Sequence, residues 1–275
     1  MNDDTVPANG APCAEPGCPP APASSAERLN AECFCVSLDE AALERALEAQ
    51  VGAPEFAALL RERCPTVFAA RPVFVSPAQL ARMAALVQSI ESVIALPAWR
   101  EAALAQAPDI ARHDPGARGV FLGYDFHAAG DAFGLIEINT NAGGAMLNAV
   151  LARAQRACCA EVQRRLPADD AAEEFERRII AMFRREWERA GHERPLRSIA
   201  IVDDAPREQY LYPEFLLFRQ LFERHGLQAV VADPRELALR GGALVHGERT
   251  IDLVYNRLTD FSLELPGNAA VREAY

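Results

Sequence analysis

The sequence predicts an α/β protein with a helical N-terminal part, a small mixed sheet built around a β-hairpin, and a βαβ unit nearer the C-terminus. Three observations carry that prediction. Residues 29–160 are mainly of helical period, with apolar side chains recurring at i, i+3 and i+4. The period drops to two in GVFLGYDF and FGLIEINT, as short strands require. After Arg197 a buried apolar run, an amphipathic helix and a second apolar run follow in succession. A chain of 275 residues is long enough for one large domain or two modest ones with a sizeable core.

Residues 1–27 are rich in Pro, Ala and Gly with little to bury, and read as a disordered leader. Residues 28–194 form the first structured unit. Ser37 is placed to cap a helix with Asp39 and Glu40 in its first turn, continuing through ALERALEAQV. Ser76 precedes Pro77, a cap followed by proline at the first helical position, and AQLARMAALVQSIESVIAL continues that helix until Pro97 ends it. Residues 119–126 and 133–140 then pair as an antiparallel hairpin over a loop at 128–132, a register that sets Glu137 opposite Gly123. The second strand passes through NAGGA into a helix, AMLNAVLARAQRACCAEVQRRL. A further helix near 170–190 aligns Phe175, Ile179, Ile180, Met182, Phe183 and Trp187 along one stripe.

A second unit spans residues 195–265. SIAIVDD reads as a buried strand, residues 212–225 as an amphipathic helix stopped by Gly226, and LQAVVAD as a parallel partner strand reached by a right-handed crossover. GGALVHGERTIDLVYNR reads as a hairpin turning at His246-Gly247-Glu248, with IDLVYN as its last strand. Residues 266–275 open a new helix and read as the start of a further module, so the chain is expected to be a piece of a longer protein.

The formal net charge of -11 argues against nucleic acid as the main partner. No apolar run approaches about 18 residues and the start is acidic, so neither a membrane span nor a secretory signal is expected, and the location expected is cytoplasmic. All 28 basic residues are Arg. Many nucleotide-handling enzymes use a phosphate-binding lysine, which is missing here, as are GxGxxG and GxxxxGK[ST]. The seven cysteines, Cys13, Cys18, Cys33, Cys35, Cys64, Cys158 and Cys159, read as reduced thiols. Cys13, Cys18, Cys33 and Cys35 could make a four-ligand zinc site on paper, but their spacing is not that of a zinc knuckle. Cys158 and Cys159 fall in a helical run as small buried side chains.

The densest polar cluster is LIEINTNAGG with the strand before it. Glu137 and Asn139 are two apart on a strand and project from one face, which Asp125 shares in the expected register. Two carboxylates and an amide oxygen form a hard, oxygen-only set of the kind Mg²⁺ prefers. The Asn-Ala-Gly-Gly run can present backbone N–H groups to an anion at the start of the following helix. The same run is equally good turn chemistry after any strand.

These residues carry a resemblance. Leu135-Ile136-Glu137-Ile138-Asn139-Thr140, followed by Gly143 and Gly144, resembles the IEINT…GG segment of eukaryotic-type glutathione synthetases, and is similar to the LEYNADTP segment of glutathionylspermidine synthases and related circularly permuted ATP-grasp ligases. In those families a short strand bearing an aspartate precedes the segment, and Asp125 in GYDF stands at that aspartate. The βαβ unit ending in VYNR resembles their pre-ATP-grasp subdomain, where an arginine after a Y-x-R strand contacts the peptide substrate, and Arg257 stands there. The resemblance covers about residues 115–265.

The resemblance implies an ATP-dependent carboxylate–amine ligase, in which the substrate carboxylate is activated as an acyl phosphate and then taken by an amine. It implies Mg²⁺ and ATP as cofactors, with Asp125, Glu137 and Asn139 as metal ligands. Thr140, Asn141, Gly143 and Gly144 would line the acceptor pocket, and Arg257 would bind a substrate carboxylate as the catalytic arginine. The expected substrate is a small amino-acid, peptide-like or polyamine molecule, and Asp260, where a synthetase has tyrosine, suits a cationic one. An ATP-grasp module has no counterpart in the chain, so the portion read here is the substrate-side part and is expected not to turn over alone. A homodimer is a possible state. Two other classes remain beside the ligase: a non-catalytic binding or scaffolding module of the same fold, and a hydrolase, for which no GxSxG or CxxC motif speaks.

Overall fold

The computed structural model describes residues 25–32, 36–38, 41, 45, 55–68, 73–130, 132–157 and 170–275. Its architecture is mixed α/β. The helices are α1 (Ser25–Glu32), α2 (Glu55–Arg63), α3 (Pro77–Ile94), α4 (Pro97–Ala105), α5 (Ala145–Ala154), α6 (Ala171–Arg189), α7 (Tyr212–Arg224) and α8 (Ala269–Ala274). The strands are β1 (Val36–Leu38), β2 (Gly123–Ala129), β3 (Ala132–Asn139), β4 (Gln155–Ala157), β5 (Ser198–Val202), β6 (Gln228–Ala232), β7 (Leu237–Arg240), β8 (Ala243–His246), β9 (Arg249–Thr250) and β10 (Leu253–Asn256).

The organising element is β5, central in a parallel sheet of order β10-β5-β6. Every residue of β5 is buried, which explains why SIAIV reads as a continuous apolar run. Its two faces feed two cores. Ile199 and Ile201 pack with α5, α6 and α7, where Phe183, Phe218, Phe222 and Tyr255 meet largely edge to face. Ala200 and Val202 point the other way, onto Leu237, Leu244, Ile251, Leu258 and Val271 from β7, β8, the 251–263 segment and α8. The β5-α7-β6 unit is the expected βαβ, with Gly226 at φ 79 closing the helix.

Several expectations need correcting. Residues 251–256 are not one hairpin strand. Arg249 and Thr250 pair with β8 as β9, whereas Leu253–Asn256 leaves to pair parallel with β5, where Tyr255 buries its ring in the aromatic cluster. Ser37 lies in β1, opposite Arg156 of β4, so its backbone is committed to a strand pair and not to a helix start. The helix from Ala145 stops at Ala154, where β4 begins. Pro97 opens α4 and does not end α3, which stops at Ile94; its missing N–H suits a first helical turn. Ser76 caps α3 as expected, in a reciprocal capping box with Gln79.

The hairpin is a two-stranded sheet of its own, not part of a mixed sheet. Ala129 pairs with Ala132, so two residues connect the strands in place of a longer loop, with Gly130 at φ 58. A bulge opposite the Asp125–Phe126 bond leaves Ile136 without a partner. Glu137 therefore faces Asp125, and Gly123 faces Asn139. Residues 1–24 of the expected leader, and Cys13, Cys18, Cys33, Cys35, Cys158 and Cys159, lie outside the described residues, whereas residues 25–27 open helix α1 and are not a disordered leader. Cys64 is buried as a free thiol whose Sγ donates to the Tyr210 carbonyl at 2.9 Å.

Candidate functional site

The carboxyl ends of the parallel strands carry the polar groups that the apolar strand interiors cannot. Asp203 follows β5, Asp233 follows β6 and Arg257 follows β10. The Arg257 N–H donates to the Val202 carbonyl at 2.8 Å, and the Asp203 N–H to Ala232 at 3.3 Å, so sheet pairing runs one step beyond each strand. From β5 the chain turns toward α7 on one face, and from β10 it turns toward α8 on the other. Diverging connections from adjacent parallel strands open a crevice at their carboxyl ends, the usual ligand position in open α/β sheets.

Arg257 is buried, and it reaches back into the segment after β3. Its Nη1 donates to the Asn141 carbonyl, the Asn141 Oδ1 and the Ala142 carbonyl, each at 2.9 Å. Its Nε is buried without a hydrogen-bond partner. Glu214, on the first turn of α7 and 1% exposed, closes the same loop from the other side. Its Oε2 accepts the Gly144 N–H at 2.7 Å and its Oε1 the Met146 N–H at 3.0 Å, so a remote carboxylate caps α5. The loop threads between the two charges. A Cβ on Gly143 would lie 2.5 Å from the Leu211 Cδ1 and 3.0 Å from the Arg257 Nη2. Gly144 has φ 94, a conformation that favours glycine.

Burial dominates the electrostatics of this cluster. It raises the Glu214 carboxyl, against the lowering effect of the N–H donors and of Arg257. It pushes Asp203 up to about 6, opposed by the Asp204 N–H and the Arg257 charge. The Tyr255 hydroxyl is also raised by burial. Burial thus raises both acids, and the Arg257 charge beside them offsets only part of that rise.

The hairpin carries the second cluster. Asp125 and Glu137 are a direct cross-strand pair, and the Asn139 Nδ2 donates to both, at 3.4 Å to Asp125 Oδ2 and 3.0 Å to Glu137 Oε1. All three side chains are exposed on one face. Gly123 matters for the loop: a Cβ there would lie 3.0 Å from the Ala142 Cβ, so the glycine lets the loop fold against the hairpin. Among the described residues no three His, Cys, Asp or Glu side chains gather as a metal-binding group. The hairpin set is two carboxylates and one amide.

The candidate residues thus divide between two neighbouring places. Asp125, Glu137 and Asn139 share the hairpin face. Asn141, Gly143 and Gly144 lie in the loop that Arg257 and Glu214 enclose, and Thr140 is exposed between the two. Arg257 bonds neither Asp260 nor Glu264. Asp260 instead accepts the Leu265 N–H and the Asn268 Nδ2, fixing the turn before α8. Glu214 and Asp203 are absent from the sequence-derived set. The signal for Glu214 is its position four and seven residues before Phe218 and Leu221, a charge on the apolar face of an amphipathic helix.

No known family model matches the chain, and no curated protein matches it. Among the described residues no single helix is long and apolar enough to cross a membrane.

Proposed function

We propose that the chain is the substrate-side part of an ATP-dependent carboxylate–amine ligase of the circularly permuted ATP-grasp type. The single observation that carries this reading is the meeting of its two motif segments. Arg257 of VYNR and Asn141–Ala142, which follow IEINT, stand 115–116 residues apart in the chain, yet three hydrogen bonds join them, to the Asn141 and Ala142 carbonyls and the Asn141 Oδ1. A fold that kept the two segments for unrelated reasons would have no need to bring them together.

In this reading Asp125, Glu137 and Asn139 hold Mg²⁺. Their chemistry fits: both carboxylates converge on the Asn139 amide, whose Nδ2 donates a hydrogen bond to each, and rotation of that amide would present Oδ1 beside them. The ion would supply charge neutralisation at a phosphate. Arg257 acts as a positioning residue, fixing the loop carbonyls so that Thr140 and Asn141 face the acceptor. Glu214 holds the other end of that loop. Asp203, beside Arg257 at the crevice, is a group that can carry or release a proton near neutral pH.

A second reading, a non-catalytic binding module of the same fold, is favoured by one observation. The Gly144 and Met146 N–H groups, which an anion would need, already belong to Glu214. Calorimetric titration with Mg²⁺, alone and with a non-hydrolysable ATP analogue, separates the two. The ligase reading predicts saturable Mg²⁺ binding that Glu137→Ala abolishes. Equal heats from the two proteins would leave the binding-module reading.

A further inference from the structure

On the β6 side of β5, away from Arg257 and its loop, the same carboxyl edge opens a cleft of about 320 Å³. Ala205, Pro206 and Arg207 form one wall, Tyr212 and Arg219 of α7 a second, and Val231 with Asp233 the third. Tyr212 and Arg219 are seven residues apart, so they lie on one face of the helix. The volume is at the lower end of small-ligand pockets.

The charges in this cleft are unevenly satisfied. Asp233 is held by Arg235, whose Nε donates to its Oδ1 at 2.6 Å, and it also accepts the Ala205 N–H at 2.9 Å. Glu236 accepts the Asp233 N–H at 3.1 Å, and its Oε2 stands 3.7 Å from the His246 Nε2. The cations are less well provided for. The Arg219 Nε is buried with no hydrogen-bond partner, an expensive state for a guanidinium donor. Arg207 is exposed at the rim. Between them, Ala205 takes the left-handed conformation at φ 41, which a non-glycine residue adopts only when its surroundings impose it.

We infer that this cleft binds a small oxyanion, a carboxylate or phosphate group, seated on Arg219 and closed over by Arg207. Arginine is suited to this because its planar fork meets two oxygens of one anionic group. Three carboxylates share the lining: Asp233 is engaged by Arg235 and the Ala205 N–H, Glu236 accepts the Asp233 N–H, and Glu208 is exposed to solvent, which screens its charge. The site is independent of the hairpin cluster and needs no metal.

The test is calorimetric titration of the full chain with succinate and with inorganic phosphate, in the presence of a metal chelator so that Mg²⁺ plays no part. The wild-type chain is expected to bind at least one of them saturably, the tighter one identifying the group as carboxylate or phosphate. Arg219→Gln is expected to weaken binding by about tenfold or more, and Arg219→Lys, which keeps charge but not the fork, by less. Thermal unfolding checks that each variant is folded. Should Arg219→Gln fail to fold, Arg207→Ala, at the exposed rim, is expected to weaken binding by about threefold. The inference is overturned if neither anion gives saturable heat, or if folded Arg219→Gln, or failing that Arg207→Ala, binds as tightly as wild type.

Discussion

The Glu214 carboxylate accepts the Gly144 N–H at 2.7 Å, joining the start of α7 to a loop 70 residues earlier. With Arg257 on the opposite side of that loop, it forms a buried clamp on the segment between β3 and α5. Removing the buried carboxylate leaves the Gly144 and Met146 N–H groups that it satisfies without a partner, which is why such losses are large. Glu214→Ala is expected to lower stability by roughly 3 kcal/mol, read from urea unfolding. A change within experimental error would mean that water replaces the carboxylate at little cost and that the clamp is not structural.

Gly143 tests the same clamp sterically. Its alanine variant places a methyl group against the Leu211 Cδ1 and the Arg257 Nη2, and is expected to cost about 1–2 kcal/mol. Leu211→Ala removes the nearer obstacle. The double variant should therefore be more stable than the sum of the single effects predicts, measured as a coupling energy in a double-mutant cycle. Strict additivity would place the strain elsewhere.

Asp203 gives a pH dependence of defined sign. Burial raises its carboxyl in the folded protein to about 6, whereas an unfolded chain releases that proton near the ordinary value of 3.8. Between these values the folded state binds the extra proton. The stabilisation is complete below the unfolded value and is lost as pH rises through about 6. Asp203→Asn should therefore flatten the stability profile, with wild type losing on the order of 2 kcal/mol relative to the variant between acid and neutral pH. Burial raises Glu214 as well, so the clamp adds to the same trend. Denaturant unfolding across the range, with parallel curves for the two proteins, would disprove the assignment.

Much of this fold is readable in the sequence. The Ser76-Pro77 cap, the stripe of α6 and the β5-α7-β6 unit follow from local rules that the packing reinforces. The hairpin register does not, because strand alternation alone cannot show the bulge that leaves Ile136 unpaired and moves Glu137 opposite Asp125. The splitting of residues 249–256 between two sheets is likewise invisible to periodicity, since β9 pairs with the neighbouring β8 while β10 pairs with β5, more than 50 residues earlier. The hairpin carboxylates could be found because strand alternation places them. Glu214 and Asp203 become distinctive only when remote segments bury them, which no local pattern encodes.

The α6 stripe also predicts its own gradient. Phe183 is fully buried at the centre of the aromatic cluster, whereas Phe175 at the start of the helix is 39% exposed. Phe183→Ala is expected to cost about 3–5 kcal/mol and Phe175→Ala under about 1, by chemical denaturation. Comparable losses at the two positions would contradict the core described here.

The central claim is that the hairpin face of Asp125, Glu137 and Asn139 takes a divalent cation, and paramagnetic Mn²⁺ tests it most directly. Titrated into the isotopically labelled protein, Mn²⁺ should broaden the backbone amide signals of residues 123–125 and 137–139 first, and Mg²⁺ should reverse the broadening by competition. Broadening centred on another part of the chain, or none that Mg²⁺ displaces, would contradict the claim.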